Sequence, residues 1–283
     1  MTDPVADGAA PRAHLADIDL LTAGHLEPLG QIREASNATL LCDVDIDGRS
    51  ARCVYKPVRG EQPLWDFPDG TLAGREVASY LISEAMGLHV IPPTVLREGP
   101  YGLGMVQAWV EPDDTLDDED PANDDRLEPV DLCGWDQVPE GWIPVLSARG
   151  PDGARMVLVH ADSPQLRRLA VLDLVINNAD RKGGHILTGP GGVLLGVDHG
   201  ICLHSENKLR TVLWGWAGQP LAAEELAAVR AVSEALAADL PAALSELITT
   251  TEIDALSRRV RELLAHPEFP TPDRPRPIPW PPF

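Results

Sequence analysis

Two aspartates on either side of a short glycine-rich hairpin are the residues of this chain best placed to do chemistry. Asp180 closes an apolar run in Asn177-Asn178-Ala179-Asp180-Arg181-Lys182-Gly183-Gly184-His185, and Asp198 follows in Gly196-Val197-Asp198-His199-Gly200. One Asp that orients an acceptor hydroxyl and a second that holds a divalent cation against phosphates make the lower half of a phosphoryl-transfer site. His185 is the candidate second ligand for that cation. Taken singly, these groups read equally well as a capping Asp or a core histidine; their combination favours the site.

For these side chains to converge, the chain between them must fold back. Residues 172–176 read as the end of a helix that starts at Ser163-Pro164, an N-cap followed by a first-turn proline. Residues 185–188 and 193–197 read as strands around Gly189-Pro190-Gly191-Gly192, and their pairing brings His185 beside Asp198. Upstream, strands are expected at 38–46 and 51–56 around the turn Asp47-Gly48, then at 90–96 and 103–110. One amphipathic helix from about 72 to 86 lies among them and ends at Gly87. Helical periodicity returns at 222–240 and 251–264.

The upper half of such a site needs a cation for the nucleotide phosphates and a carboxylate to fix it. Lys56, closing a strand, and Glu76, one turn into the next helix, are the candidate pair. No glycine-rich phosphate loop precedes the lysine. The polar turn Ala35-Ser36-Asn37-Ala38-Thr39 takes that place, with Ser36, Asn37 and Thr39 offering polar groups to phosphate oxygens. An adenine ring is expected beneath residues 105–111, against Val110. The cofactors so implied are ATP and Mg or Mn.

Composition narrows the partners. At 283 residues the chain suits one bilobal unit or two small domains. A formal charge of −21 makes a surface that repels nucleic acid and anionic membranes, so no nucleic-acid partner is expected. There is no apolar run near the ~20 residues of a membrane span and no basic-then-apolar leader, so integral membrane association is not expected. Cys42, Cys53, Cys133 and Cys202 show no Cys-x-x-Cys spacing; Cys42 and Cys53 fall on neighbouring expected strands, with reduced thiols favoured. A soluble cytoplasmic protein is the expectation, and the richness in Ala, Asp, Arg and Pro suits an actinobacterial source.

The order of these parts resembles the phosphatidylinositol 3/4-kinase-like group of atypical kinases, which includes HipA-type enzymes, and within it an uncharacterised actinobacterial family. The strings that carry the resemblance are Tyr55-Lys56-Pro57-Val58-Arg59-Gly60-Glu61, Trp65-Asp66-Phe67-Pro68-Asp69-Gly70-Thr71, Arg75-Glu76-Val77-Ala78, Asn178-Ala179-Asp180-Arg181-Lys182 and Val197-Asp198-His199-Gly200. The resemblance implies an α+β, bilobal, protein-kinase-like fold. The resemblance covers about residues 25–265, and composition and pattern complete the expected division: a disordered N-terminus (1–17), a strand-rich N-lobe (18–111), an acidic insertion or linker (112–143), a helical C-lobe (144–266) and a Pro-rich tail (267–283) docked by Trp280 and Phe283. Residue by residue, the resemblance also implies that Lys56 binds phosphate with Glu76 as partner, that Asp180 is the catalytic-loop aspartate, and that Asp198 binds metal. His185 stands where the group usually carries Asn, and Gly184 where related loops often carry an acidic or amide residue.

Several residues keep two readings. Arg181 can contact phosphate or form a structural ion pair in the loop. Lys208 and Arg210 suit an anionic acceptor or a solvated loop. The segment from Trp65 to Gly70 reads as packing rather than a lid, and Trp214 and Trp216 as core. A zinc reading of His199, Cys202 and His204 is disfavoured by the lack of a second cluster. The expected function is an ATP- and metal-dependent phosphotransferase whose acceptor is a protein or small molecule rather than a lipid. A nucleotide-binding pseudokinase and an AMP transferase are the alternatives.

Overall fold

In the computed structural model, which describes residues 15–32, 37–111, 128–150 and 153–283, the first hairpin follows from its turn chemistry. Asp47 and Gly48 both have positive φ (50° and 78°), the requirement of a two-residue turn whose twist matches its strands. They join β2 (Leu40–Ile46) to β3 (Arg49–Pro57). With β1 (His25–Gln31), β4 (Thr94–Gly99) and β5 (Gly102–Ala108) these form an antiparallel sheet in the order β1-β2-β3-β5-β4. A short helix, α1 (Ile18–Ala23), packs on it, and α2 (Leu72–Ala85) lies between β3 and β4 in sequence.

The C-terminal half is mostly helical: α3 (Pro164–Ile176), α4 (Ala223–Leu236), α5 (Leu240–Leu244) and α6 (Thr250–Ala265). Ser163 caps α3 as its sequence position requires, accepting from the N–H groups of Gln165 and Leu166. The hairpin of β9 (Ile186–Gly189) and β10 (Val193–Gly196) follows α3. The fold is thus bilobal and α+β, a strand-rich N-lobe on a helical C-lobe, as expected. The principal core runs through both, from Ile82 and Ile91 to Leu169, Leu172, Val229 and Leu256.

A second sheet was not expected. β6 (Val130–Gly134), β7 (Trp142–Arg149) and β8 (Arg155–Ala161) pair antiparallel in the order β6-β8-β7, so β6 and the start of β7 occupy the segment read as linker. The apolar contrast along β7 is weak, and Pro144 interrupts it. Pro144 is tolerated because β7 is an edge strand, with a register shift between Pro144 and Leu146. The acidic run from Asp113 to Asp125, Ser36 and the first fourteen residues lie outside the described residues. Beyond α6 the tail has no helix or strand but is fastened: Phe269 is buried, while Trp280 is 82% exposed and so is not the docking residue expected. No helix among the described residues is long and apolar enough to cross a membrane.

His160 on β8 ties the second sheet to the segment at Trp214. Its Nδ1 lies 3.0 Å from the Ala161 carbonyl, its Nε2 accepts from Gly215 N–H at 3.1 Å, and its ring meets Trp216 at 4.3 Å. Burial holds its pKa below the ordinary 6.5, against the opposing pull of the Ala161 carbonyl and Asp162. The unfolded chain therefore takes up this proton at a pH where the folded chain does not. Stability is full above the unfolded value and falls as the pH drops towards the folded one. In His160→Gln the urea midpoint should fall less between about pH 7.5 and about pH 5.5 than in the wild type; equal falls would contradict this assignment.

Candidate functional site

The catalytic-loop candidate begins where α3 stops. Asn177 adopts a left-handed conformation (φ 53°), which ends the helix, and its side chain then bonds to the next segment. Its amide donates to the carbonyls of His204 and Glu206, and its Oδ1 accepts from Lys208 N–H. Asn178 donates to Asp173 Oδ1 at 2.9 Å and accepts from Asp180 N–H at 2.9 Å, fixing the direction in which Asp180 leaves the loop.

Arg181 is fully buried, which decides between its two readings in favour of structure. Nε and Nη2 contact the Asp173 carboxylate at 2.9–3.1 Å, Nη1 donates to the His185 and Val197 carbonyls, and Nη2 meets His199 Nε2 at 2.6 Å. Thr211 adds a hydroxyl bond to Asp173 Oδ2 at 3.2 Å. One guanidinium thus holds the loop after Asp180, the hairpin strand leading to Asp198, and the residue after Asp198. The sequence carried a signal for this: Asp173 is an acid inside the apolar run Val171-Leu172-Asp173-Leu174-Val175. Burial, then the Arg181 charge, keep His199 neutral, its pKa far below the ordinary histidine value.

The site faces this frame from the other lobe. On α2, Glu61 accepts from the first helical N–H groups, Leu72 and Ala73, while Thr71 caps Gly74 N–H. Arg75, also buried, pins α2 to the C-lobe through Glu252 at 2.6 Å and the Cys202 carbonyl at 2.9 Å. The next residue, Glu76, therefore points at β3, where its Oε1 lies 2.8 Å from Lys56 Nζ. The same ammonium also pairs with Asp198. Asp198 sits in a left-handed conformation (φ 58°), unusual for a residue other than glycine and frequent at functional sites.

Charges in this group interlock. Burial works against the Lys56 ammonium, but the carboxylates of Glu76 and Asp198 outweigh it and raise its pKa. Burial raises Glu76, with Lys56 opposing. Asp198 is also penalised by burial, yet Lys56 and His185 leave it below the usual carboxylate value. Burial raises Asp180, partly offset by Lys182, whose ammonium is 3.8 Å away. His185 Nε2 is 3.7 Å from Asp198 Oδ2, and burial lowers its pKa to about 4, so it presents a neutral imidazole at neutral pH.

The structure therefore brings Lys56, Glu76, Asp198 and His185 into one cluster, with Asp180 on the same loop as His185. Asn37 is turned elsewhere: its Oδ1 accepts from Gln62 N–H, and Thr39 is buried with its hydroxyl towards the Asn37 carbonyl. Val110 is buried at the sheet's exit, and a methyl added to Gly189 on β9 would lie 3.2 Å from its Cγ1. Lys208 is engaged by Asp66 and Glu206 at 3.6 and 3.8 Å. Phe67 is buried against Arg75 and His204, whereas Trp65 is 91% exposed. As donors to a divalent ion, Asp198 and His185 supply one anionic oxygen and one neutral nitrogen. That set suits an ion that completes its shell with phosphate oxygens and water. Among the described residues no cluster of three or more His, Cys, Asp or Glu side chains could hold an ion alone.

The frame predicts a contrast in stability. Asp173→Ala would strand a buried guanidinium and should cost about 3–5 kcal/mol. The exposed pair Arg49–Asp17 is equally short, at 2.8 Å. Arg49→Ala should nevertheless cost less than about 1 kcal/mol. Chemical denaturation of the two variants measures both.

No protein-family model matches the chain. It is 53% identical over 264 residues to Protein Rv2133c of Mycobacterium tuberculosis, covering 93% of this chain and 94% of that one. Among solved structures it is similar to a Golgi casein kinase, with a TM-score of 0.45 and 13% identity over 90% of this chain and 78% of that one. It is also similar to the Helicobacter pylori proinflammatory kinase CtkA, with a TM-score of 0.44 and 11% identity over 88% of this chain and 94% of that one.

Proposed function

The chain belongs to the same family as the mycobacterial Protein Rv2133c, and from the chemistry of the site we propose that it is an ATP- and divalent-cation-dependent phosphotransferase of the phosphatidylinositol 3/4-kinase-like group. The observation that carries this reading is the Lys56 ammonium on β3 held 2.8 Å from Glu76 on α2 while it also meets Asp198. Kinases use a strand lysine fixed by a helix glutamate to hold nucleotide phosphates beside a metal-binding aspartate.

In this reading Lys56 binds the phosphates and Glu76 aims it. Asp180 orients the acceptor hydroxyl and takes its proton; its raised pKa places a usable base on the loop. Asp198 and His185 hold the divalent ion, which when bound offsets the phosphate charge; a neutral imidazole favours Mn over Mg. Val110 faces the adenine, while the Asn37 side-chain oxygen and the Ala38 N–H are already engaged within the protein and so are not counted among the phosphate contacts. Catalysis is then chiefly positioning and charge stabilisation. A net charge of −21 favours a protein or small-molecule acceptor over an anionic lipid. The second reading, a nucleotide-binding pseudokinase, is favoured by His185 and Gly184, which stand where related loops carry Asn and an acidic or amide residue.

Purified protein incubated with γ-labelled and α-labelled ATP, in Mg²⁺ and separately in Mn²⁺, should release or transfer γ-label, more in Mn²⁺, and Asp198→Ala should abolish it. Transfer of α-label would instead identify an AMP transferase. ATP binding without turnover would identify the pseudokinase.

A further inference from the structure

The Pro-rich tail beyond α6 is anchored at residues 216–221, and two of its carbonyls, Pro277 and Pro282, then fall on segments beside Arg181. Phe269 is buried against Trp216, with the Arg167 guanidinium 4.8 Å from its ring, and anchors the start of the tail. The Pro277 carbonyl accepts from Thr211 N–H at 3.0 Å and from Trp214 Nε1 at 2.9 Å. Thr211 is bridged to Arg181 in parallel register, and its hydroxyl reaches Asp173. The Pro282 carbonyl then accepts from Gly183 N–H at 2.8 Å. Gly183 opens the single turn Gly183–His185 that follows Asp180 and Lys182 and delivers His185.

Gly183 lets the tail come this close. A β-carbon there would lie 2.5 Å from Phe283 Cδ1, well inside contact distance of the ring edge. Its backbone is not left-handed, so the glycine answers to this contact rather than to an unusual φ. The tail's contact with this loop is made at Gly183, through its backbone N–H and against its α-carbon.

We propose that the tail is a positioning element of the site: the Pro282 carbonyl braces the Gly183–His185 turn and so holds Asp180 and His185 towards Asp198. This rests on the phosphotransferase reading for its effect on turnover, and on the contact itself for its effect on the loop. Without the brace, the turn keeps its Arg181 bonds but loses the acceptor of the Gly183 N–H. Small displacements of groups that must meet a reacting atom reduce rate strongly without a matching loss of binding.

The test uses the full chain, a chain lacking residues 280–283, Gly183→Ala, and Gly183→Ala with Phe283→Ala. In Gly183→Ala the added methyl should displace the Phe283 ring, the more movable partner. Hydrogen exchange of the amides from 180 to 187 should quicken in the truncated chain and in Gly183→Ala, and should slow again in the double variant. ATP turnover should fall roughly ten-fold in the first two, with KM for ATP little changed, and recover in the double variant. Unchanged exchange after truncation overturns the proposal. Higher turnover after truncation also overturns it, since the tail would then be a block. Wild-type protein inert towards ATP sinks the phosphotransferase reading instead, and the exchange arm alone then decides whether the tail braces the loop.

Discussion

A single buried guanidinium sets the geometry on which the candidate site depends. Arg181 has no solvent exposure, and its donors reach Asp173, the His185 and Val197 carbonyls and His199. An unpaired charge at that depth would be very costly, so the loop, the hairpin and the segment after Asp198 must all present their acceptors at once. The planar fork of arginine imposes directions that a lysine could not. Asp180 and Asp198 are not themselves part of this network. They are the residues it leaves facing outward, one on each side of the hairpin it clamps.

The second constraint is a shortage of positive charge. One ammonium, Lys56, faces two carboxylates, Glu76 and Asp198. Glu76 is 3% exposed, while the Asp198 side chain is 48% exposed and stands at the open edge of the group. Attraction at these distances is strong where water is scarce and weak where it is not, so the buried pair is the firmer of the two. Lys56 is accordingly anchored on the Glu76 side and exchangeable on the Asp198 side. An anion brought to this edge would therefore compete with Asp198 for the ammonium rather than with Glu76.

Much of this was legible in the sequence because local chemistry dictated it. Asp47-Gly48 specifies its turn, Ser163-Pro164 starts its helix, and the glycine turn at 189–192 sets the hairpin that carries His185 to Asp198. Lys56 and Glu76 could be named from their order alone, and they meet. What could not be read depended on tertiary partners. The second sheet has a proline in one strand and little alternation, and its pairing is decided by the lobe it covers. Arg181 looked like a phosphate ligand or a loop salt bridge equally, because only burial separates the two. Asn37 looked free to meet phosphate, yet Gln62 N–H takes its side-chain oxygen. Of the two docking residues expected in the tail, Phe283 lies against Gly183 while Trp280 is exposed; Phe269 and the proline carbonyls, which have no sequence signature, do the rest.

These constraints join at α2. Glu76 meets Lys56 only if α2 keeps its present angle, and Arg75, the residue before it, is spent on the other lobe. Its bonds to Glu252, to the Cys202 carbonyl and to the Asp69 carbonyl all lie in buried or partly buried surroundings. Swinging α2 away would break a buried ion pair and leave Glu252 uncompensated in the core, a larger loss than the Lys56–Glu76 pair could return. Gly200, the residue two after Asp198, carries no side chain, and a β-carbon there would approach Leu72 of α2 to 3.2 Å. The helix is thus held from the side of Asp198 as well as from α6. The lysine–glutamate pair is a consequence of how the two lobes pack, and the site's upper half inherits the stability of the interface beneath it.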